Sequence, residues 1–503
     1  MIFVRTLALL LLVFAGALHA APNLPLEEVD WVLLRDARAR GLLPDLLGGA
    51  QLLGEDQVQA ALGLLRLAPD LRLLPASQEG FWLRPLERAA LRALALDEHD
   101  RPYSLEVRPR HLAGQIGLSC EFQEGRPCGG GLGLVSELDS SAGVGSWLSG
   151  TTRLRLDLGN NGYQPALRID RAYLKAQLGA VALEAGRDTL ALGPSARSGL
   201  MVTQNAAPLD QLRAWTRPFA LPFLDADALR VSFFYCLARL RQPQTFDGTL
   251  LQVTRMQLDL FKRIELGGTR LLQFGGKGAP AVGFEQFVAL QFTRRYDSQQ
   301  RPLSDNRLAF DLSVSVPELA GGRIYAEFAS EDFRKQELNV LHYEADYLIG
   351  AEARALGLGP LQRLLIEATK SGRLSQEGLY WLTGWTNAGR TLGTSLGPDG
   401  LALYLRAELE LPFGRVSPWV ESVRFSSDTY KDDGLGDGGI QVDQSGPAER
   451  RQRAGLDLSI ALRQSLRLEA TAWAERVTNV DLRPGAERFN AGALAALRYA
   501  ADF

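Results

Sequence analysis

Gly393-Thr394-Ser395-Leu396-Gly397 has the G-x-S-x-G spacing of a nucleophile elbow, which holds a serine on a strained strand-to-helix turn for attack on an acyl centre. That chemistry needs an apolar strand before the serine, a helix after it and a general base. Thr386-Asn387-Ala388-Gly389 precedes the motif and Pro398-Asp399-Gly400 follows it, so neither flank has the required pattern. Beyond residue 21 the only histidines are His99, His111 and His342. The glycines therefore read as loop residues, and no catalytic residue is expected.

Other candidate sites fail on similar grounds. The acidic run 428–439 begins at Asp428, but Tyr430 and Gly439 fall where a calcium loop needs carboxylates, so it reads as a solvated loop. The glycine-rich segments 129–133 and 275–278 lack the following helix of a phosphate cradle. His and Cys show no metal-ligand spacing, so no metal and no cofactor are expected. What remains is binding. Arg and Glu recur along alternating segments with Tyr380, Tyr404 and Trp473 nearby. Polar groups beside aromatic rings suit sugars, which take hydrogen bonds at their edges and stacking at their faces. The same residues equally suit a water-filled pore.

The elements that must position these residues are of two kinds. Arg5, an uncharged run over 6–17 and the small pair Ala20-Ala21 read as a secretory signal over 1–21. Residues 22–100 show helical spacing three times: Val29/Leu33/Leu34/Ala37, Val58/Ala61/Leu62/Leu65 and Leu86/Ala90/Leu94. They predict a small helical bundle. From about residue 103 the period changes to two. Leu401, Leu403, Leu405, Ala407, Leu409 and Leu411 share one face, while Tyr404, Arg406, Glu408 and Glu410 share the other. The same alternation marks Leu308/Phe310/Leu312/Val314/Val316 and Met256/Leu258/Leu260. Short connections near 261–263, 317–322, 357–360, 412–414 and 463–465 alternate with long ones at 275–306, 330–345, 371–399, 425–452 and 478–491. Short turns on one rim and long loops on the other are the plan of an outer-membrane β-barrel. The stretch 190–226 fits neither rim by pattern.

The chain has 503 residues and a formal net charge of -3, from 55 basic and 58 acidic side chains, so nothing points to nucleic acid. Beyond the leader no run of 18 apolar residues occurs, so no membrane-spanning helix is expected. Roughly 400 residues after the bundle, at about 22 per strand and connection, make about 18 strands, too many for one sandwich. Cys120 and Cys128 flank a short Gly/Pro-containing segment and either close a small loop or stay free; Cys236 reads as a small buried or lipid-facing residue. Counting back from Phe503, apolar residues fall at every second place through Ala501, Tyr499, Leu497 and Ala495, so the chain ends inside a strand. A terminal Phe on such a strand resembles the signal by which the barrel-assembly machinery recognises its clients.

Several segments resemble the capsule assembly protein Wzi family. They are DWVLLRDARARGLLP (30–44) with LGEDQVQAAL (53–62), EAGRDTLALGPSARSGLMV (184–202), RLLQFGGKGAP (270–280), DNRLAFDLSVSVPEL (305–319), YAEFASED (325–332) and LGTSLGPDG (392–400). Ala191 and Leu192 stand where that family usually has tryptophans before the Gly-Pro, and this chain has fewer loop aromatics and shorter loops. The resemblance implies an 18-stranded outer-membrane barrel over 101–503, with a periplasmic bundle over 22–100 closing its lower mouth. It implies a non-enzymatic, lectin-like role in attaching exported capsular or extracellular polysaccharide to the cell surface. Expected partners are that polysaccharide, outer-membrane lipids and lipopolysaccharide, and the assembly machinery during insertion, with the barrel a monomer.

Polar residues cluster beside long loops in the matching segments at Arg187, Asp188, Arg197, Gln273, Lys277, Glu331 and Asp332, which are the glycan-binding candidates. The competing reading of each is a loop-shaping residue or an interior salt bridge. The rival function is a porin-like diffusion channel for small solutes.

Overall fold

A computed structural model describes residues 103–499 apart from 117–131, 145–146, 160–165, 198, 222–227, 294, 317–321, 332–344, 374, 376–379, 427, 433–439 and 464–465. The signal segment, the bundle expected over 22–100, Cys120, Cys128, Asp332, His342 and Phe503 lie outside the described residues. So does most of the acidic run after Asp428.

The period-two pattern folds as strands throughout. In chain order they are β1 (Tyr103–Ile116), β2 (Leu132–Val144), β3 (Leu148–Gly159), β4 (Ala166–Leu178), β5 (Val181–Asp188), β6 (Leu209–Thr216), β7 (Phe219–Ala220) and β8 (Leu229–Arg239). There follow β9 (Leu250–Leu260), β10 (Ile264–Phe274), β11 (Ser304–Val316), β12 (Gly322–Glu331), β13 (Asp346–Leu358), β14 (Leu361–Lys370), β15 (Thr386–Asn387) and β16 (Arg390–Thr391). The last are β17 (Leu401–Leu411), β18 (Gly414–Phe425), β19 (Thr429–Asp432), β20 (Ile440–Gln444), β21 (Glu449–Arg463), β22 (Leu466–Thr478) and β23 (Glu487–Tyr499). One short helix, α1 (Phe284–Leu290), sits between β10 and β11.

Nineteen strands form one sheet, with β15–β16 and β19–β20 as separate two-stranded ribbons. β7 is a two-residue piece that pairs with β8 beside β6. Each long strand pairs antiparallel with the next long strand in sequence, and β1 pairs with β2 and, over residues 112–116, with β23. Purely antiparallel neighbours follow because each long strand pairs with the next in sequence, whether a short turn or a long loop joins them.

The two faces of the sheet are inverted relative to a water-soluble protein. Leu167 (70% exposed), Ile349 (59%), Leu212 (57%) and Phe310 (56%) lie bare on the outer face. The alternating residues, among them Arg153, Arg213, Arg307, Glu184 and Glu327, are buried on the inner face. On β17, Leu401, Leu403 and Leu405 are exposed while Tyr404, Glu408 and Glu410 are buried. Bare leucines and sealed arginines are stable together only if the outside is hydrocarbon. Exposed aromatics at short turns, Trp147, Phe261 and Phe413, mark one edge of that band. Near the long loops Phe328 and Tyr347 pack edge-to-face at 5.5 Å and mark the other.

The inner face is a lattice of ion pairs. Arg213 bonds Glu184 at 2.7 Å and Asp188 at 2.5 Å; Arg363 joins Glu352 at 2.6 Å and Glu408 at 2.9 Å. Arg255 reaches from β9 over β10 to Asp311 on β11 at 2.6 Å. Gly267 lies beneath that bridge: a Cβ there would meet Arg255 Nη2 at 2.2 Å and Asp311 Oδ2 at 2.4 Å. Cys236 is buried on the same inner face and donates its thiol to Gln211 at 3.2 Å.

Phe310 stands at the centre of β11 on the outer face. Phe310→Arg is expected to lower stability by about 2–4 kcal/mol, the range for a basic residue near the midplane of a barrel wall. Urea unfolding in lipid vesicles measures it, and a change below about 0.5 kcal/mol contradicts a lipid-facing wall.

Candidate functional site

Of the stretch that pattern left unassigned, 190–226, the described residues divide between the two rims. Residues 189–208 join β5 to β6 at the long-loop rim and fold inward. They reach strands well round the sheet from β5. Glu367 on β14 accepts from Ser195 Oγ (2.8 Å), Tyr325 OH (2.8 Å), Ala196 N (3.2 Å) and Arg197 N (3.3 Å). Glu327 on β12 accepts from Leu200 N at 3.1 Å, and Arg323 donates to the Pro194 carbonyl. Two strand carboxylates thus satisfy backbone N–H groups of a largely buried loop.

A second loop, residues 371–400, folds in against the first. Thr203 N donates to the Leu392 carbonyl at 2.7 Å, and Asn205 Nδ2 to Thr391 Oγ1 at 2.8 Å. Leu200, Met201, Trp385 and Leu392 form an apolar core between the loops. The first glycine of G-x-S-x-G serves this contact: a Cβ on Gly393 would lie 2.1 Å from the Leu200 carbonyl oxygen. No strand leads into Ser395 and no helix follows it.

On top of these loops lies an aromatic group edged by charge. Phe246 stacks at 5.3 Å from Tyr380 and 5.9 Å from Trp381, and Tyr380 lies 5.3 Å from Trp381. Trp381 is buried, while Phe246 and Tyr380 are half-buried. Gly276 lets the start of the connection after β10 lie on this group: at φ +107° its Cβ would come 2.7 Å from Phe246 Cβ. That contact sets Lys277 beside the rings. Lys277 N donates to the Asp247 carbonyl at 2.8 Å, and Lys277 Nζ lies 3.2 Å from Asp247 Oδ2. The Gln242 amide, 3.1 Å away, and then Lys277 hold the Asp247 carboxyl below the usual carboxylate range. Rings with exposed donors and acceptors at their edge can stack a pyranose face and hold its hydroxyls.

The structure separates the six described candidates; Asp332 lies outside the described residues. Lys277 lies at the aromatic group. Arg187 is on the outer side of β5, paired with Asp210 at 2.5 Å. Asp188, next in sequence, is on the inner side, bonded to Arg171 and Arg213 at 2.5 Å each. Arg197 crosses the interior to Glu421 at 3.2 Å and lies over the Tyr404 ring at 5.1 Å. Gln273 is fully buried, and among the described residues its amide has no hydrogen-bond partner. Glu331 pairs with Arg307 at 3.5 Å. Phe246, Asp247 and Gln242 did not stand out in the sequence. The only local signal was an aromatic residue beside Thr245 and Asp247 in a Pro-containing turn.

A family model described as capsule assembly protein Wzi matches residues 117–491. No curated protein matches the chain in sequence. Among solved structures, an outer-membrane protein of Escherichia coli involved in group 1 capsule assembly, a carbohydrate-binding β-barrel, superposes with TM-score 0.64 at 18% identity. The match covers 93% of this chain and 98% of that one. OprD of Pseudomonas aeruginosa (TM-score 0.45, 9% identity, 78% of this chain and 94% of that one) and a BenF-like porin of Pseudomonas fluorescens (0.46, 10%, 80% and 99%) share only a slighter likeness.

Glu367→Ala removes the acceptor for four donors and is expected to release the inward loop. Limited trypsin digestion should then cut after Arg197, where the unaltered protein is expected to resist. Equal resistance in the variant contradicts the anchoring role.

Proposed function

Because this chain belongs to the capsule assembly protein Wzi family, we propose that it is an outer-membrane surface lectin. It holds exported capsular or extracellular polysaccharide at the cell surface and catalyses no reaction. The observation that carries this reading is the group of Phe246, Tyr380 and Trp381 on the long-loop rim, with Lys277 and Asp247 at its edge. Tyr380 and Phe246 offer stacking faces, and Lys277 offers a charged donor for hydroxyl or carboxylate groups of the sugar. Asp188, Arg197 and Glu331 act at one remove, holding the walls and loops beneath. Gln273, fully buried, also acts at one remove, and Arg187 and Asp332 are further contacts in the same proposal.

The diffusion-channel alternative needs an open interior. Residues 189–208 and 371–400 cross it, packed through Leu200 and Leu392, which supports binding over passage. In the same reading, residues 22–100 form the periplasmic bundle under an 18-stranded barrel that works as a monomer among outer-membrane lipids and lipopolysaccharide.

Binding of bacterial surface polysaccharides to the full chain in detergent tests the proposal. Tyr380→Ala is expected to weaken binding about three- to tenfold, as loss of one stacking contact worth about 0.5–1.5 kcal/mol implies. Lys277→Ala is expected to weaken it further for acidic than for neutral polymers. Unchanged binding in both variants removes this site, and no binding by the unaltered protein to any polymer removes the function.

The Asp247 carboxyl adds a pH signature. Its folded value is depressed, so its contribution is complete above the ordinary value near 4 and is lost as pH falls through the lower folded value. Affinity is expected to be level from about pH 8 to about 5 and to decline only below about 4. A decline centred near pH 6 contradicts a role for this carboxylate.

A further inference from the structure

The connection 275–303 differs from the two inward loops. Its helix α1 lies against the outer face of the sheet. Leu290 is buried with Leu272, Phe274 and Leu303, and Leu237 and Leu250 pack against them. On β8, β9 and β10 these are outward positions, for the alternating Cys236, Leu251 and Leu271 belong to the interior core.

The underside of the helix is closed to water, and its polar groups are satisfied within the protein. Arg270, itself on the outer face, donates to the carbonyls of Leu290 (2.6 Å) and Gln291 (2.8 Å), which a short helix leaves open at its C-terminus. The amides of Gln252 and Gln291 donate to each other at 2.7 and 3.0 Å. The opposite side is exposed and apolar except at Glu285. Phe284 (83% exposed), Val288 (43%) and Phe292 (83%) recur at i, i+4 and i+8. Arg295 and Tyr296 follow, both exposed.

β8, β9 and β10 are each 11 residues long. A tilted strand needs about 9–11 to cross the hydrocarbon core, so their loop-side ends lie where acyl chains meet headgroups. α1 rests at that level. Its bare face continues the exposed band of Phe233, Met256 and Leu266 on the same three strands.

We infer that α1 is an interfacial helix that seats Phe284, Val288 and Phe292 among the acyl chains of the outer leaflet, with Arg295 and Tyr296 at the headgroups. A helix that bares Phe and Val side chains, keeps its one charge at Glu285 within reach of the headgroups and has its last carbonyls capped from below suits that layer, where unsatisfied backbone groups are costly. Lys277 precedes α1 in the same connection, so the helix moors the edge of the aromatic group to the membrane surface. The inference rests on the outer-membrane reading of the sheet.

The test uses the full chain with Cys120→Ser and Cys128→Ser, in phosphatidylethanolamine–phosphatidylglycerol vesicles. Cys236 is buried and escapes labelling. An environment-sensitive fluorophore is placed singly through Phe292→Cys, Phe233→Cys on the wall, or Gln299→Cys in the exposed turn. Bromine-labelled acyl chains are expected to quench position 292 as strongly as position 233, while aqueous iodide quenches only position 299. Iodide quenching at 292 with 233 still quenched by bromolipid overturns the inference and leaves the barrel standing. Failure of bromolipid to quench 233 overturns both. Shielding of 292 from both quenchers that grows with protein density places a second copy there and also overturns the inference.

Discussion

A strand that faces acyl chains has no water to receive its N–H and C=O groups, so every such group must pair with a neighbouring strand. That requirement explains why nineteen of the described strands join in one sheet with β1 meeting both β2 and β23. It also inverts the usual distribution of side chains. The outer face gains by exposing Leu, Ile and Phe, and the charges go inward. Once inside, each charge needs a partner, because an unpaired ion in a low-dielectric interior costs several kcal/mol. The rows of Arg facing Glu and Asp on adjacent strands meet that need, and Gly267 is kept small so that one such bridge can cross above it.

The interior carboxylates have a second use. Glu367 and Glu327 hold backbone N–H groups of residues 189–208, and Arg323 holds a carbonyl of the same loop. A loop folded into a barrel would otherwise leave its main chain unsatisfied. The charged wall thus acts as a template on which irregular backbone is ordered, and the two inward loops in turn support Phe246, Tyr380 and Trp381 at the rim. The third loop goes the other way. Its helix finds apolar partners on the outer wall, and Arg270 does for its carbonyls what Arg323 does for the inner loop.

Much of this architecture was legible from residue spacing alone. Period-two alternation depends only on strand geometry, so the faces of β11 and β17 followed directly from the sequence, with Leu401, Leu403 and Leu405 out and Glu408 and Glu410 in. Short turns at 261–263 and 412–413 and the long connection at 371–400 could be placed because length itself distinguishes the rims. The connection after β22 is shorter than the sequence suggested, since β23 already begins at Glu487. The family resemblance was likewise carried by local segments in order.

The long loops are where local reading ended. Residues 190–226 alternate poorly because 189–208 take their order from Glu367, Glu327 and Arg323, whose distance along the chain hides the pairing. Adjacent residues such as Arg187 and Asp188 looked like one cluster, yet a strand sends them to opposite faces, one toward Asp210 outside and the other toward Arg213 within. Lys277 joined Phe246 and Tyr380 only through the close approach at Gly276, a contact between three connections distant in sequence. By itself the sequence determined the strands, their faces and the alternation of rims after about residue 250, because these depend on spacing along one chain. The tertiary structure decided which loops turn inward, which turns outward and which candidates meet, because those outcomes depend on satisfying buried backbone groups with partners from other strands.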